Sequence, residues 1–337
     1  MATPRTAPAR ALRVFARRAA LALLFLLAVG LAIFAGGEWE RRRDPRAQLL
    51  ARRGALIATG EQRERADSAS VFSSLNLESD TGVVVAASLK MPRGPGPFPA
   101  LLVLGGLRTG RHTREVIGDA PGLVLLCLDY PYAGKRERLS AWEFLRALPR
   151  MRRALLETVP AAMLGTDYLL SRPEVDPARV TVVGGSFGAL FAPAVAALDE
   201  RIAAAALLFG AGDLERLARA NIRAPAPLAV PAAWAIAVLA APLEPRRHIA
   251  AVAPRPLLLL GATGDARVPR ACSETLAAAA GEPKTLRWIE AGHLNVREPA
   301  FHTLVRGELL AWLAGAGLLV AAQADSLAGP LGQTATP

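Results

Sequence analysis

The segment that decides the fold is Val182–Gly188, "VVGGSFG", in which β-forming residues give way to glycines around one serine. It directly follows a predicted strand, 179–185, and opens a predicted helix, 187–198. Gly184 and Gly188 lack β-carbons, so the chain can reverse sharply there and project the Ser186 hydroxyl from the end of the strand. This G-x-S-x-G pattern fits an activated nucleophile, and it also fits a small residue in an ordinary tight turn.

Strands and helices alternate on both sides of this turn. Short, wholly apolar runs are typical of strands that are buried on both faces of a parallel sheet. Upstream, runs 71–79 and 82–92 flank an Asp-Thr-Gly turn and predict an antiparallel hairpin. The pattern predicts a doubly wound, mostly parallel α/β sheet. The remaining predicted strands are 100–106, 122–130, 202–210, 255–263 and 284–291, and the remaining helices are 150–171, 270–280 and 298–314.

Residues 211–254 interrupt the alternation. They contain "LAVPAAWAIAVLAAPL", which is apolar, broken by Pro231 and Pro242, and too short to span a bilayer comfortably. The segment fits either a buried helix or a small cap over a site.

The N-terminal region contains 19 uncharged residues, 19–37, between Arg18 and Glu38. As a helix they would extend about 28 Å, which is close to the hydrocarbon thickness of a bilayer. A cleaved signal peptide is the alternative, with Ile33-Phe34-Ala35 as a small-residue cleavage site. The run is longer than the usual apolar core of a signal peptide, which favours an uncleaved transmembrane anchor.

The orientation of this helix is not decided by charge, because five arginines precede it and six follow it closely. Long domains are exported largely regardless of charge, so we expect the short tail inside and the large domain outside the cytoplasm. A secreted protein is the alternative if the helix is cleaved. The predicted segments are a basic tail 1–18, an anchor 19–37, a helical juxtamembrane linker 38–70, a domain 71–315 that includes the 211–254 insertion, and a flexible tail 316–337.

The net charge of +11 is concentrated at the N-terminus, where residues 1–65 carry +8. The remaining residues carry only +3. Nucleic-acid binding by the large domain therefore loses its main support.

A nucleophilic serine needs a base within hydrogen-bond reach, and the chain has only four histidines. His293, in "EAGHLN", follows the last predicted strand, at the sheet edge where α/β proteins place reactive groups. His112, His248 and His302 fit surface or helix-face positions better.

The acid that orients the base is expected between the serine and the histidine in the sequence. Asp265, in "LLLLGATGDARVP", follows an apolar strand and is favoured. Asp213 is the competing candidate, and Asp129 fits a structural turn. For an oxyanion hole, the backbone N–H of Phe187 and that of Gly106 or Leu107, in "LVLGGLRTG", are the candidates.

From about Val71 to Gly315 the chain resembles the α/β-hydrolase superfamily. The segment 242–269, "PLEPRRHIAAVAPRPLLLLGATGDARVP", followed by "EAGHLN", is similar to its dienelactone-hydrolase-like and prolyl-oligopeptidase-like esterase branch. The resemblance implies Ser186, Asp265 and His293 as a triad. The loop at 105–106 reads Gly-Gly where many members have His-Gly, and the nucleophile is serine where dienelactone hydrolases have cysteine, so their substrate is not carried over.

These features predict a membrane-anchored serine hydrolase of a carboxylic ester or thioester, with no cofactor and no metal site. A peptidase of the same fold is an alternative, although no separate domain is present to select peptides. A hypothesis from another class is a catalytically silent scaffold that docks a membrane partner. A third hypothesis is a lipid-surface protein that binds through the basic N-terminal segment.

Overall fold

A computed structural model describes residues 7–118, 120–132, 134, 140–293 and 298–319. The chain forms two compact units, one up to Arg43 and one from Asp44 onward. The described part of the first unit is the helix α1 (Ala7–Arg42), which begins inside the predicted basic tail. Its segment Phe15–Arg42 contains an 18-residue stretch with a mean hydropathy of 2.6 and is long and apolar enough to cross a membrane.

The second unit is built on a nine-stranded sheet with the order β1-β2-β3-β5-β4-β6-β7-β8-β9. Strands β1, β2 and β3 pair antiparallel, β3 also pairs antiparallel with β5, and the six strands from β5 to β9 in that order are parallel. The mostly parallel sheet and the hairpin are therefore confirmed. The strands are β1 (Leu56–Ala66), β2 (Ser70–Ser79), β3 (Val84–Pro92), β4 (Phe98–Leu104), β5 (Val124–Leu128), β6 (Val175–Gly185), β7 (Ala204–Leu208), β8 (Leu257–Ala262) and β9 (Lys284–Ile289).

Helices cover both faces of the sheet. Alternate residues of β4 point to opposite sides, so Leu102 packs in one core with residues of α4, α5 and α8, and Val103 packs in a second core with residues of α9. This two-sided burial explains why the central strands read as continuous apolar runs. The helices are α2 (Pro45–Leu50), α3 (Thr113–Ile117), α4 (Ala141–Leu170), α5 (Ala192–Leu198), α6 (Leu214–Asn221), α7 (Ala226–Leu239), α8 (Arg270–Ala279) and α9 (Pro299–Gly315).

The helical linker predicted for 38–70 is wrong beyond Leu50, because Leu56–Ala66 form β1 at the edge of the sheet. Nearly every residue of β1 is exposed, so the strand has none of the apolar alternation that identifies a strand in a sequence. Pairing with β2 determines its conformation, and charged side chains protect the open edge. The predicted tail 316–337 lies outside the described residues after 319.

The insertion 211–254 forms α6, α7 and three short 3₁₀ helices, Ala241–Leu243, Pro245–Arg247 and Ile249–Val252. The buried-helix interpretation is wrong for α7: only Ala229, Ala233 and Ala237 are fully buried in it, whereas Leu228 and Ile236 are exposed and the remaining large side chains are at most half-buried. The insertion begins where β7 ends, which is the edge of the sheet that also carries Ser186.

Candidate active site

Ser186 lies on a strained turn at the carboxyl end of β6. Its backbone φ is +51°, a value that non-glycine residues rarely adopt. A β-carbon at position 184 would lie 2.7 Å from the backbone of Ala189, and one at 188 would lie 1.9 Å from the Leu104 carbonyl oxygen. Both glycines are therefore required by close backbone contacts, and the turn packs directly against the end of β4.

Gly188→Ala is expected to lower the free energy of unfolding by about 3 kcal/mol or more, because backbone atoms cannot yield to the added methyl group as a flexible side chain can. Urea denaturation followed by circular dichroism would measure the loss. The control is Gly60→Ala, since a β-carbon at 60 meets nothing nearer than 3.9 Å. Equal stability of the two variants would contradict the packing described for the turn.

Three of the predicted site residues meet in one hydrogen-bonded chain. The distance from Ser186 Oγ to His293 Nε2 is 2.8 Å, and that from His293 Nδ1 to Asp265 Oδ2 is 2.7 Å. The three side chains follow β6, β8 and β9, each at the carboxyl end of its strand. Because parallel strands end at a common edge, residues that are far apart in the sequence come together there.

Asp265 is held firmly in its loop. Its Oδ1 accepts hydrogen bonds from the backbone N–H groups of Arg267 and Val268, at 2.8 and 2.9 Å. Its side chain is only 3% exposed, and that of His293 is 13% exposed. Burial by itself raises the pKa of the Asp265 carboxyl, but the hydrogen bonds from His293 and the two amides outweigh burial and lower it. Asp265 is thus an ionised acceptor that fixes the imidazole.

The lowered pKa of Asp265 predicts a loss of stability in acid. The stabilisation of the ionised form is present above the ordinary aspartate pKa of 3.8 and disappears as the pH falls through the lowered value. Between about pH 5 and pH 2, the free energy of unfolding should therefore fall more for the wild type than for Asp265→Asn. Urea titrations at several pH values would measure this difference. The same pH dependence of the free energy of unfolding in both proteins would contradict the lowered pKa of Asp265.

The competing candidates have other roles in the structure. Asp213 caps α6 by accepting the backbone N–H of Arg216, and Asp129 accepts the backbone N–H of Arg111, both at 3.1 Å. His248 is buried with Nε2 2.8 Å from the carbonyl oxygen of Pro242, and burial lowers its pKa. His112 is exposed beside Glu115, and His302 lies on α9.

The predicted oxyanion donors come from two adjoining loops. Phe187 follows the serine, and Gly106 and Leu107 lie in the loop directly after β4. The tight contact of Gly188 with the Leu104 carbonyl brings these loops together. A β-carbon at Gly105 would lie 1.8 Å from Thr113 Oγ1, so this loop also needs glycine to pack closely.

Sequence reasoning missed Tyr130, which connects the two loops. Its hydroxyl donates a hydrogen bond to the Gly105 carbonyl, and its ring packs edge-on against Phe187, with 5.0 Å between centroids. Burial raises the pKa of this hydroxyl, so the group stays protonated and can donate. A polar aromatic residue directly after the strand run "LVLLCLD" was the available signal in the sequence.

Tyr130→Phe is expected to lower kcat for ester hydrolysis by about tenfold with little change in KM, because a loosened loop stabilises the transition state less than it binds the substrate. A trifluoromethyl ketone, which mimics the tetrahedral intermediate, should lose affinity in parallel. Tyr132→Phe, two residues along the same loop, is the matched control. A change in thermal stability alone, with kcat and inhibitor affinity unchanged, would reduce Tyr130 to a packing role.

The insertion 211–254 docks on the loop that carries Asp265. Asn221, at the end of α6, donates from Nδ2 to the Arg267 carbonyl at 2.8 Å. Leu217 packs against a small apolar cluster that includes Val268. The Glu244 carboxylate accepts the backbone N–H groups of residues 213 and 214, both at 2.9 Å, and so closes the base of the insertion. The insertion is therefore a cap that contacts the site through the loop of the acid.

Solved structures show the same architecture. The chain is similar to acetyl xylan esterase 1 from Thermoanaerobacterium sp., with a TM-score of 0.58 and 14% identity over 77% of this chain and 90% of that one. It is also similar to an acetyl xylan esterase from Paenibacillus sp. R4, with a TM-score of 0.57 and 17% identity over 79% of this chain and 90% of that one. The fold is that of the α/β-hydrolases. At these identities the likeness establishes the fold of this chain and not its substrate.

Among curated proteins, the chain is similar to Esterase FrsA from Citrobacter koseri, with 34% identity over 122 residues. The matched region is 35% of this chain and 26% of that relative, so the chain spans about a quarter of the relative's length. No family model matches the sequence. Within the described ranges, no group of three or more His, Cys, Asp or Glu side chains is placed to hold a metal ion.

Proposed function

We propose that this α/β-hydrolase is a membrane-anchored serine hydrolase that cleaves a carboxylic ester or thioester. The observation that carries the proposal is the continuous hydrogen-bonded chain from Ser186 through His293 to Asp265, with the serine on a strained turn. A buried carboxylate can only accept, so His293 Nδ1 carries the proton and Nε2 is left as the acceptor for the serine hydroxyl.

In the first half of the reaction, Ser186 Oγ attacks the substrate carbonyl while His293 Nε2 takes the hydroxyl proton. Asp265 stabilises the imidazolium that forms. The developing oxyanion is stabilised by the backbone N–H of Phe187 and by that of Gly106 or Leu107. The tetrahedral intermediate then collapses, and His293 returns the proton to the leaving alcohol or thiol.

In the second half, water attacks the acyl-enzyme. His293 takes a proton from this water, and a second tetrahedral intermediate forms at the same oxyanion donors. Collapse releases the carboxylic acid as Ser186 regains its proton from His293. Protons balance over the cycle, and one water is consumed for each ester bond cleaved.

An ester or thioester is favoured as substrate because the curated relative and two of the similar solved structures are named esterases. The test is a panel of p-nitrophenyl esters, acyl thioesters and peptide p-nitroanilides, using the full-length protein in detergent and subtracting the rate of Ser186→Ala. We expect serine-dependent turnover of esters or thioesters. Faster turnover of the anilides would indicate a peptidase, and no serine-dependent turnover would favour a silent scaffold.

Membrane anchoring by α1 is proposed from its length and apolarity, with the catalytic unit outside the cytoplasm. The full chain should stay in the membrane pellet after carbonate washing, and protease added outside intact spheroplasts should digest the catalytic unit. N-terminal sequencing distinguishes the anchor from a signal peptide, because cleavage after Ala35 would remove most of the apolar segment.

A further inference from the structure

The outer face of the cap is unusually apolar. Helix α7 has no charged, hydroxyl or amide side chain in its 14 residues. Its fully buried side chains are alanines and Trp234, Val238 and Leu239 are half-buried, whereas Leu228 is 65% and Ile236 45% exposed. A helix at a protein surface normally buries its largest apolar side chains and presents polar ones to water. Helix α7 instead presents Leu228, Val230 and Ile236 to its surroundings, so its outer face is suited to an apolar environment.

Basic residues accompany this face. The adjacent helix α6 and the two residues that follow it expose Arg216, Arg219 and Arg223. Asp213, which lies 3.9 Å from Arg216, and Glu215 are the acidic residues between positions 213 and 223. Large aliphatic side chains beside arginines are the combination that binds the surface of an anionic bilayer, where the apolar groups enter the acyl boundary and the arginines meet the headgroups.

A second exposed apolar group lies at the same edge of the sheet. Helix α4 connects β5 to β6, two parallel strands, so its first turn lies at their carboxyl edge, as the start of the cap does. Trp142 and Leu145 of this turn are exposed, and the Arg146 guanidinium lies 4.7 Å from the centre of the Trp142 ring. Tryptophan and arginine are both favoured at membrane interfaces.

We propose that the outer face of the cap, formed by Leu228, Val230 and Ile236 with the α6 arginines, is a docking surface for an anionic lipid bilayer. The inference rests on the proposed membrane anchor: the catalytic unit begins at Asp44, directly after the first unit ends. Because the two units are joined directly in the chain, the catalytic unit has a high effective concentration at the bilayer, so even a weak surface contact would be populated. A bilayer fits better than a protein partner, because the face is short, aliphatic and flanked by positive charge.

Site-specific fluorescence tests the proposal in the full chain. Cys127 and Cys272 are both buried, so an introduced cysteine can be labelled selectively. Leu228→Cys, labelled with the environment-sensitive dye NBD, is reconstituted into vesicles of phosphatidylcholine and phosphatidylglycerol that contain doxyl-labelled lipid. Ile236→Cys provides a second position on the same face. Leu286→Cys is the matched control, since Leu286 is an exposed leucine on β9.

We expect the Leu228 and Ile236 labels to be quenched by the doxyl lipid and the Leu286 label to be unquenched. Removal of phosphatidylglycerol, or the added changes Arg216→Gln and Arg219→Gln, should reduce the quenching about twofold at low ionic strength. Labels on α7 that are no more quenched than the control would overturn the proposal. A blue-shifted but unquenched label would also overturn it, and would indicate that a second copy or another protein segment covers α7.

Flotation of the same vesicles separates this inference from the membrane anchor. Protein that floats with the vesicles while its α7 labels remain unquenched contradicts docking alone. Protein that does not float contradicts both the anchor and the docking surface, and ester hydrolysis by Ser186 is measured independently of either.

Discussion

Replacement of Ser186 by alanine is expected to lower kcat for ester hydrolysis by about 10⁴-fold or more, because it removes the hydroxyl that forms the acyl-enzyme. His293→Ala should cause a loss of similar size, since the serine hydroxyl then has no base at 2.8 Å. The two losses should not add in the double variant, because the residues act as one unit. Steady-state kinetics on the best ester of the panel would measure all three.

The control for the histidine is His112→Ala, because this side chain is exposed and lies on a 3₁₀ helix after β4. It should retain the wild-type kcat. A modest loss in His293→Ala, or a large one in His112→Ala, would contradict the assignment of the base. Circular dichroism of each variant separates a chemical effect from unfolding.

Asp265→Asn is expected to lower kcat by about 10³- to 10⁴-fold while Asp213→Asn leaves it within a few-fold of the wild type. An asparagine at 265 can donate to His293 Nδ1 and so favours the wrong imidazole tautomer. Asparagine at 213 remains a good helix N-cap, so the fold of α6 should be preserved. Both variants replace a carboxylate by an amide, one in each of two loops at the same edge of the sheet, so each serves as a control for the other.

The reverse order of effects, with Asp213→Asn the more damaging, would overturn the choice of the acid. Stability must be measured alongside, because Asp265 also accepts two backbone hydrogen bonds in its loop. A loss of kcat in Asp265→Asn at unchanged urea midpoint would assign the effect to the orientation of His293. A loss of kcat that is accompanied by a lower urea midpoint would instead assign the effect to disruption of the loop that carries Asp265.

The sequence predicted the features that depend on strong local patterns. Strands such as β4 and β8 are buried on both faces and read as unbroken apolar runs, and the turn at Ser186 needs glycines that the sequence displays directly. The grouping of Ser186, Asp265 and His293 followed from the rule that parallel strands end at one edge. Each of the three was therefore identified by its place after a strand, without knowledge of the contacts.

Features that depend on contacts between distant parts of the chain could not be predicted from the sequence. The polar strand β1 is ordered by its hydrogen bonds to β2, and its own sequence resembles a charged helix. The exposed face of α7 could not be distinguished from a buried one, because the helix is apolar on all sides. The role of Tyr130 depends on a contact with Gly105, 25 positions earlier in the chain, which no local pattern encodes.

The most direct test of Ser186 as the nucleophile is to locate the adduct of a fluorophosphonate, which phosphonylates only serines that are activated as nucleophiles. The full-length protein is treated in detergent at neutral pH, digested, and analysed by mass spectrometry. We expect one modified residue, Ser186, and loss of the modification in His293→Ala. An unmodified Ser186, or a modification at another serine that persists in Ser186→Ala, would contradict the assignment of the nucleophile.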